Sequence, residues 1–528
     1  MTKYKGKSAA ELIGYQQIKT HIIFDIKLGE NFRRKARLVA DGHLTDTPAS
    51  ITYSSVVSRD SVRVCLMLAA LNGLDLQAAD IENAYLTAPC REKCYTIVGQ
   101  EFGDDSGSIF IITKALYGLR SSGAAFRAFL AERLDIMGFK SSIADPDVWL
   151  QPGTKPDGEE YYEYILVYVD DILCISYKPK ETMGEIQEGF KFKKDKIAPP
   201  DFYLGGKVQL KGLNGINIWT ITSTDYVKAA VENLEKQLGK KGLELPSAVQ
   251  PMATGFVPEL DNSPELDANY RTTVQELIGI LRWAIELGRV DICHEVSILS
   301  QFQASPRQGH LEQLYHIFGF LKKNPKLTLY FDPNEPKLDE SVFENGSTAK
   351  DFKEQYRDAE EELPTHMPKP RGKAVKITAF FDASHGVNKV TRRSHTGVVI
   401  FLNRATIIWY SKCKNMVEAS ILLSEFIALK VCMEYIVALR YKLRMFGVEI
   451  DGPANVLGDN LSVVKNSSKI ESSLDKKHNA LAYHACCWVV AAGIMRVGWI
   501  DTNYNIADAL TKRLTVAKRN QLFGDWTY

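Results

Sequence analysis

Apolar and polar positions follow two rhythms along this chain. Between Tyr161 and Tyr177 the side chains are mostly β-branched or aromatic, and Asp170-Asp171 interrupts the run near its middle. Such a run predicts two buried strands with the acids at the turn between them. Leu74 to Ile81 reads as a further strand, closing on Asp80. From Ser121 to Gly138 the period turns helical: Ala125, Phe126, Phe129, Leu130, Leu134 and Met137 share one face, with Arg127, Glu132, Arg133 and Asp135 largely elsewhere. Residues 1–70 predict short strands among basic and polar loops, 190–210 a strand-rich piece, and 224–240 and 270–323 helical stretches. Over 333–374 Asp, Glu, Lys, Pro and Gly dominate and periodicity vanishes, which predicts a solvated linker or mobile loop. Beyond it strands are expected at 375–381, 396–402, 405–409, 454–458 and 495–500. Helices are expected at 418–446, 476–493 and from about 506. No internal repeat is visible.

At 528 residues the chain is too long for one core, and roughly 150 residues per domain suggests three or four units. The expected segments are 1–245, 246–332, a polar linker 333–374, and 375–528. A formal net charge of +1 gives no overall electrostatic footprint for a polyanion, so any such binding must come from local basic patches such as Arg33-Arg34-Lys35-Ala36-Arg37. Nine cysteines lack a Cys-x-x-Cys pair or a matching His set, which fits buried thiols in a reducing compartment and predicts no zinc site. The first residues lack a signal-peptide core, and no run approaches ~18 apolar residues, so a soluble, intracellular protein is expected.

Two adjacent carboxylates inside an apolar hairpin need compensation, because burying them unpaired costs several kcal/mol or more. A dense hydrogen-bond set or a divalent cation would supply it, and the cation is the cheaper. Asp80 and the Asp170-Asp171 pair come from separate strands, the arrangement that a two-metal nucleotidyl transferase needs to clamp attacking and leaving oxygens. Mg²⁺ favours oxygen ligands and keeps several waters, so few carboxylates suffice. Each feature alone has a plainer reading: turn aspartates, a helix cap at Asp80, a core aromatic at Tyr85, and a solvated face at 33–37.

Taken together and in order, Arg34–Ala40, Asp80-Ile-Glu-Asn-Ala-Tyr-Leu86, Ala115–Phe126, Tyr168-Val-Asp-Asp171, Tyr203-Leu-Gly205 and Tyr270–Phe302 resemble the reverse transcriptase of copia-type LTR retrotransposons. The resemblance implies a right-hand polymerase of fingers, palm and thumb, with α/β and α+β parts. It implies that Asp80, Asp170 and Asp171 bind Mg²⁺ or Mn²⁺, and that Tyr85 excludes a ribose 2′-hydroxyl. Lys35 and Arg37 would meet the dNTP triphosphate, a charge-assisted role. Tyr117 and Gly118 would border the RNA template and DNA primer.

A second acid set follows the linker. Asp382 ends a strand, Glu425 sits on a helix among Leu422, Ala428 and Leu429, Asp459 ends another strand, and Asp508 opens a helix. An acid on such an apolar face should point at something other than water. With Arg393-Ser-His-Thr-Gly397 and Ile407–Lys412 between them, these acids resemble the ribonuclease H domain of the same elements. That resemblance implies an α/β domain whose quartet Asp382, Glu425, Asp459 and Asp508 binds two metal ions and cleaves RNA in an RNA–DNA hybrid, recognised by 2′-hydroxyls and hybrid shape. It also implies a cytoplasmic (virus-like particle) or nuclear location.

The chain departs from that pattern at Ser384 and Leu423, and from the polymerase pattern in the fingers at Asp41. Lys477-His478-Asn479-Ala480 lacks the family's acid, and His478 reads as a structural or hybrid-contact residue. No upstream zinc, integrase or aspartic-protease motif is seen, so a C-terminal part of a polyprotein or a truncated copy is expected. The alternative to a working enzyme is a relic that keeps nucleic-acid binding alone, and a weaker third reading keeps only the nuclease.

Overall fold

The computed structural model describes residues 1–6, 11–27, 33–46, 52–213, 215–344, 352, 354–467 and 480–524. The expectation for His478 lies outside them. The chain divides into two compact units, each discontinuous in sequence. The first holds 1–58, 75–153 and 163–199, and the second holds 59–74, 154–162 and 200–528.

The first unit is built on an antiparallel sheet. Its strands are β3 (Asp75–Asp80), β4 (Lys140–Ser141), β5 (Val148–Thr154), β6 (Glu160–Tyr168) and β7 (Asp171–Ser176), in the order β3-β7-β6-β5-β4. Ile172, Leu173, Cys174 and Ile175 of β7 are fully buried, which is why this stretch reads as an unbroken apolar run. A helix, α2 (Ser122–Ile136), lays Phe126, Leu130 and Leu134 into the core with Phe139, Ile165, Ile172 and Phe190. A separate hairpin pairs β1 (Thr20–Lys27) with β2 (Arg33–Ala40). Lys35 and Arg37 lie two residues apart and so share one face of β2.

In the second unit α1 (Arg59–Asn72) lies where strands and loops are expected. Eleven of its fourteen residues are buried, polar Ser61, Arg63 and Asn72 among them, so polar positions in this stretch do not mark a solvent face. The strands β8 (Phe202–Tyr203), β9 (Gly206–Leu213), β10 (Ile216–Thr222) and β11 (Thr328–Tyr330) form an antiparallel sheet in that order. The helical stretches are α4 (Thr224–Gly239), α5 (Ala268–Glu286), α6 (Cys293–Leu299) and α7 (Gln308–Lys323), with α3 (Pro179–Gln187) belonging to the first unit. Thus 270–323 is several helices rather than one.

The C-terminal sheet contains β12 (Ile377–Ser384), β13 (His395–Leu402), β14 (Ala405–Cys413), β15 (Ala454–Gly458) and β16 (Met495–Trp499), in the order β14-β13-β12-β15-β16. The first three are antiparallel, and β15 and β16 run parallel to β12. The long helix α8 (Ile421–Met445) packs on this sheet and on α9 (Ala480–Ala491). The terminal segment begins as a short 3₁₀ turn, Ile506–Leu510, rather than an α-helix.

The described residues of 333–374 carry little regular structure, but they are not a free linker. Phe352 is fully buried and Ala359 nearly so. Tyr162 donates from its hydroxyl to the Lys369 carbonyl at 2.8 Å. Glu361 accepts from Arg440 Nε and Nη2 at 2.9 and 2.7 Å and from Arg444 Nε at 3.1 Å. Single anchors of this kind leave no periodic trace. Burial works against the Glu361 charge, but the two guanidinium groups outweigh it and hold the carboxyl at about 2. A lowered carboxyl pKa stabilises the fold above the unfolded Glu range, and that stability is lost as pH falls towards about 2. Glu361→Ala is therefore expected to cost about 2 kcal/mol at pH 7, below the ~3–5 kcal/mol of a fully buried pair. Urea denaturation checks this, and the deficit should shrink steadily between pH 5 and pH 2.5.

Candidate active sites

In the first unit, the hairpin turn sets the geometry. Tyr168 pairs with Asp171 across the turn, so Val169 and Asp170 are its two central residues. Val169 has φ +57°, a left-handed conformation that is an outlier for a β-branched side chain. On the other side of β7, Asp171 is the direct cross-strand partner of Asp80, and the Ile81 N–H donates to the Asp170 carbonyl at 2.9 Å. The three acids therefore meet at one end of the sheet. Burial raises the Asp170 pKa and Asp80 adds to this, while Lys193 and Lys35 oppose it.

Lys193 was not singled out in the sequence. Its ammonium lies 2.6 Å from Asp80 Oδ2. The pair is 113 residues apart, and nothing local announces it.

The Tyr85 and Tyr117 rings lie 5.0 Å apart. Burial raises both phenol pKa values, and Asp170 raises them further. Arg37 acts on Tyr117 in the opposite sense. Both tyrosines, Lys35 and Arg37 are therefore gathered at the acidic end of the sheet. Gly118 has a different reason to be there. Its φ is +92°, and a Cβ would stand 2.0 Å from the Ala40 carbonyl oxygen, because the 117–118 backbone pairs with the end of β2. A packing requirement accounts for this glycine without a template contact.

The second acid set is tighter. Asp382, Asp459 and Asp508 bring one carboxylate oxygen each to within 4.8 Å of one another, and among the described residues they are the one such group of three. Asp382 is fully buried on β12. Asp459 directly follows Gly458, where a Cβ would stand 2.3 Å from the Phe381 ring, so glycine lets β15 close on β12. Asp508 is carried by the 3₁₀ turn. Buried Asn505 caps that turn through Ala507 N–H and ties it to β12 by donating from Nδ2 to the Phe381 carbonyl at 3.0 Å.

Glu425 lies outside that group of three but faces it electrostatically. It is 6% exposed, and its Oε2 has no hydrogen-bond partner. Burial, then Asp382 and Asp459, push its carboxyl up to about 9. Burial likewise raises Asp382 and Asp508. Three clustered carboxylates plus an orphaned buried fourth form an all-oxygen donor set, which fits a hard divalent cation.

Lys512 also went unassigned in the sequence, although it follows Asp508 at i+4, a signal that could have found it. Its ammonium lies 2.7 Å from Asp508 Oδ1 and 3.3 Å from Asp382 Oδ1. Burial works against the Lys512 charge, but Asp382 and Asp508 outweigh it and hold its pKa up. The Thr511 hydroxyl donates to Asp382 Oδ2.

A raised acid pKa makes the folded state hold a proton that the unfolded chain releases. Stability should then fall by up to about 1.4 kcal/mol per pH unit between the ordinary Glu range and about 9. Glu425→Gln should flatten that metal-free slope and raise the melting temperature at pH 8. Thermal melts from pH 5 to 9 in chelator check it.

Residues 10–246 match the family model described as "Reverse transcriptase (RNA-dependent DNA polymerase)". The chain is similar to the retrovirus-related Pol polyprotein from transposon RE1 of Arabidopsis thaliana, 24% identical over 92% of this chain and 30% of that protein. It is also similar to the Pol polyprotein from transposon TNT 1-94 of Nicotiana tabacum, 24% identical over 96% of this chain and 35% of that protein. The Ty1-NL2 Gag-Pol polyprotein of Saccharomyces cerevisiae is 23% identical over 94% of this chain and 26% of its own length. The chain thus spans 30–35% of the two plant relatives. A solved structure, the N-terminal RNase H domain of Mycobacterium tuberculosis Rv2228c fused to maltose binding protein, covers 26% of this chain and 91% of its own. Its identity is 15% and its TM-score 0.21, too low to carry an argument. No helix among the described residues is long and apolar enough to cross a membrane.

Proposed function

Because this chain is a relative of the Pol polyproteins of copia-type transposons, we propose that it is an RNA-directed DNA polymerase with an associated ribonuclease H activity on RNA–DNA hybrids. The observation that carries the reading is the Asp382–Asp459–Asp508 cluster, with buried Glu425 electrostatically linked to it, in a chain whose N-terminal part matches a polymerase family.

In this reading Asp80, Asp170 and Asp171 hold Mg²⁺ or Mn²⁺ in a palm flanked by fingers and thumb. Asp382, Glu425, Asp459 and Asp508 do so in the nuclease. Bound there, the ions supply Lewis-acid charge that activates the attacking oxygen and stabilises the leaving one. The protein's own groups position. Lys35 and Arg37 take the triphosphate of the incoming dNTP. Tyr85 offers its ring face to the sugar, and Tyr117, tilted against it, borders the RNA template and DNA primer. Lys193 and Lys512 neutralise the acids before cations arrive, which limits the repulsion among buried carboxylates. An intracellular site of action, cytoplasmic within a virus-like particle or nuclear, belongs to the same reading.

The test uses the purified chain with a DNA primer on an RNA template, dNTPs and Mg²⁺, with a labelled hybrid in parallel. Metal-dependent extension and cleavage of the RNA strand are expected. Salt-sensitive hybrid binding with no turnover in either assay would favour a non-catalytic relic.

A further inference from the structure

Two cavities in the second unit adjoin the nuclease acids without being part of them. One has a volume of about 440 Å³ and the other about 380 Å³, and Gln301 and Cys413 line both, so they form one continuous groove. Its walls are helices α5 and α6 on one side and the edge strand β14 with the 385–393 loop on the other. The far end reaches Ser384, Thr511 and Lys512, and the Thr511 hydroxyl is bonded to Asp382.

The lining is unusually cationic. Arg282, Arg393 and Lys412 line the first cavity, and Lys389, Lys512 and Arg513 line the second. Arg282, Lys389, Arg393 and Lys412 are exposed and make no ion pair among the described residues. The two acids present are already engaged: Glu286 faces Arg63 at 4.0 Å, and Glu259 accepts the Lys389 backbone N–H at 2.8 Å. In a chain whose charges otherwise cancel to +1, four unpaired cations along one groove are a local excess.

From this juxtaposition we propose that the groove is the track for the sugar–phosphate backbone of the RNA–DNA hybrid, with Arg393 and Lys412 as phosphate contacts that feed the scissile strand towards Asp382. The proposal rests on the hybrid-cleaving reading above and adds where the substrate lies. It also gives a task to Arg393, which the acid set leaves unused. A polyanion fits better than a small anion because the cations are strung along a groove rather than converging on one point. Phosphate contacts of this kind position a substrate and carry no base specificity.

The experiment is equilibrium binding of a 20-base-pair hybrid in chelator across a KCl series. It compares the wild-type chain, Arg393→Glu/Lys412→Glu, and a Lys228→Glu/Lys236→Glu control that makes the same charge change on exposed positions of α4. Losing two phosphate contacts should reduce the slope of log affinity against log salt by about 1.4–1.8 and weaken binding at least about tenfold at 150 mM salt. The control should behave as wild type, and melting temperatures should agree for all three. Unchanged slope and affinity in the groove variant would overturn the track while leaving the hybrid-cleaving reading intact. A wild-type chain that binds no hybrid would overturn both. Equal weakening by the control would reduce the effect to overall charge and overturn the track.

Discussion

Asp382→Asn is expected to lower hybrid cleavage by about a thousandfold or more, some 4 kcal/mol of transition-state stabilisation, while primer extension stays at the wild-type rate. The side chain is fully buried and belongs to the one tight three-acid group among the described residues. Asparagine keeps its size and one acceptor for the Thr511 hydroxyl, but it removes one of the three carboxylate charges clustered around the place a cation would take. The fold should tolerate the change. Burial already raises the Asp382 pKa, so neutralising it relieves a repulsive set, and Lys512 keeps Asp508 at 2.7 Å. Cleavage of a labelled hybrid, extension on an RNA template and a thermal melt separate the effects. A variant that melts normally, extends normally and still cleaves would remove Asp382 from the chemistry.

The second large effect is expected at the hairpin. Asp170→Asn and Asp171→Asn should each reduce RNA-templated extension by about a thousandfold and leave hybrid cleavage unchanged. Asp171 stands opposite Asp80 in register, and Asp170 occupies the tip next to Val169 in its left-handed conformation. A β-branched residue held there costs on the order of 1–3 kcal/mol, and such strain persists where the surroundings over-determine a geometry. Steady-state extension with dNTP titration distinguishes lost chemistry from lost binding: kcat should collapse while KM for dNTP changes little. Retention of full synthesis by Asp170→Asn would break the palm assignment.

How much of this was legible beforehand depended on whether the physical cause was local. The β6–β7 hairpin could be read because two acids interrupting an apolar run have few alternatives, and α2 because its apolar residues fall on one face. The acids at 382, 425, 459 and 508 were singled out by their places at strand ends, on an apolar helix face and at a helix start, together with the family resemblance, and the fold brings three of them into one group. Lys512 was missed although its i+4 spacing from Asp508 was a readable local signal, whereas Lys193 gives no local sign of which carboxylate it meets. Tertiary folding alone brings Lys193 to Asp80, across 113 residues. The helix α1 was missed because its polar Ser61, Arg63 and Asn72 are buried with its apolar residues, so polarity there does not separate core from solvent. Gly118 was assigned to substrate on motif grounds, whereas its backbone angle and the nearby Ala40 carbonyl explain it by packing.

The placement of α1 has a practical outcome. Asp60 on that helix is bonded to Lys442 of α8, Arg63 stacks its guanidinium 4.1 Å from the Trp409 ring centre, and the Asn72 side chain accepts the Lys373 backbone N–H. A recombinant fragment starting near residue 375 would strip these partners away and leave Trp409 and α8 with uncovered surface, inviting aggregation. Separating the two proposed activities by trimming the gene should therefore yield insoluble protein, and point substitutions in the intact polypeptide are the cleaner scalpel.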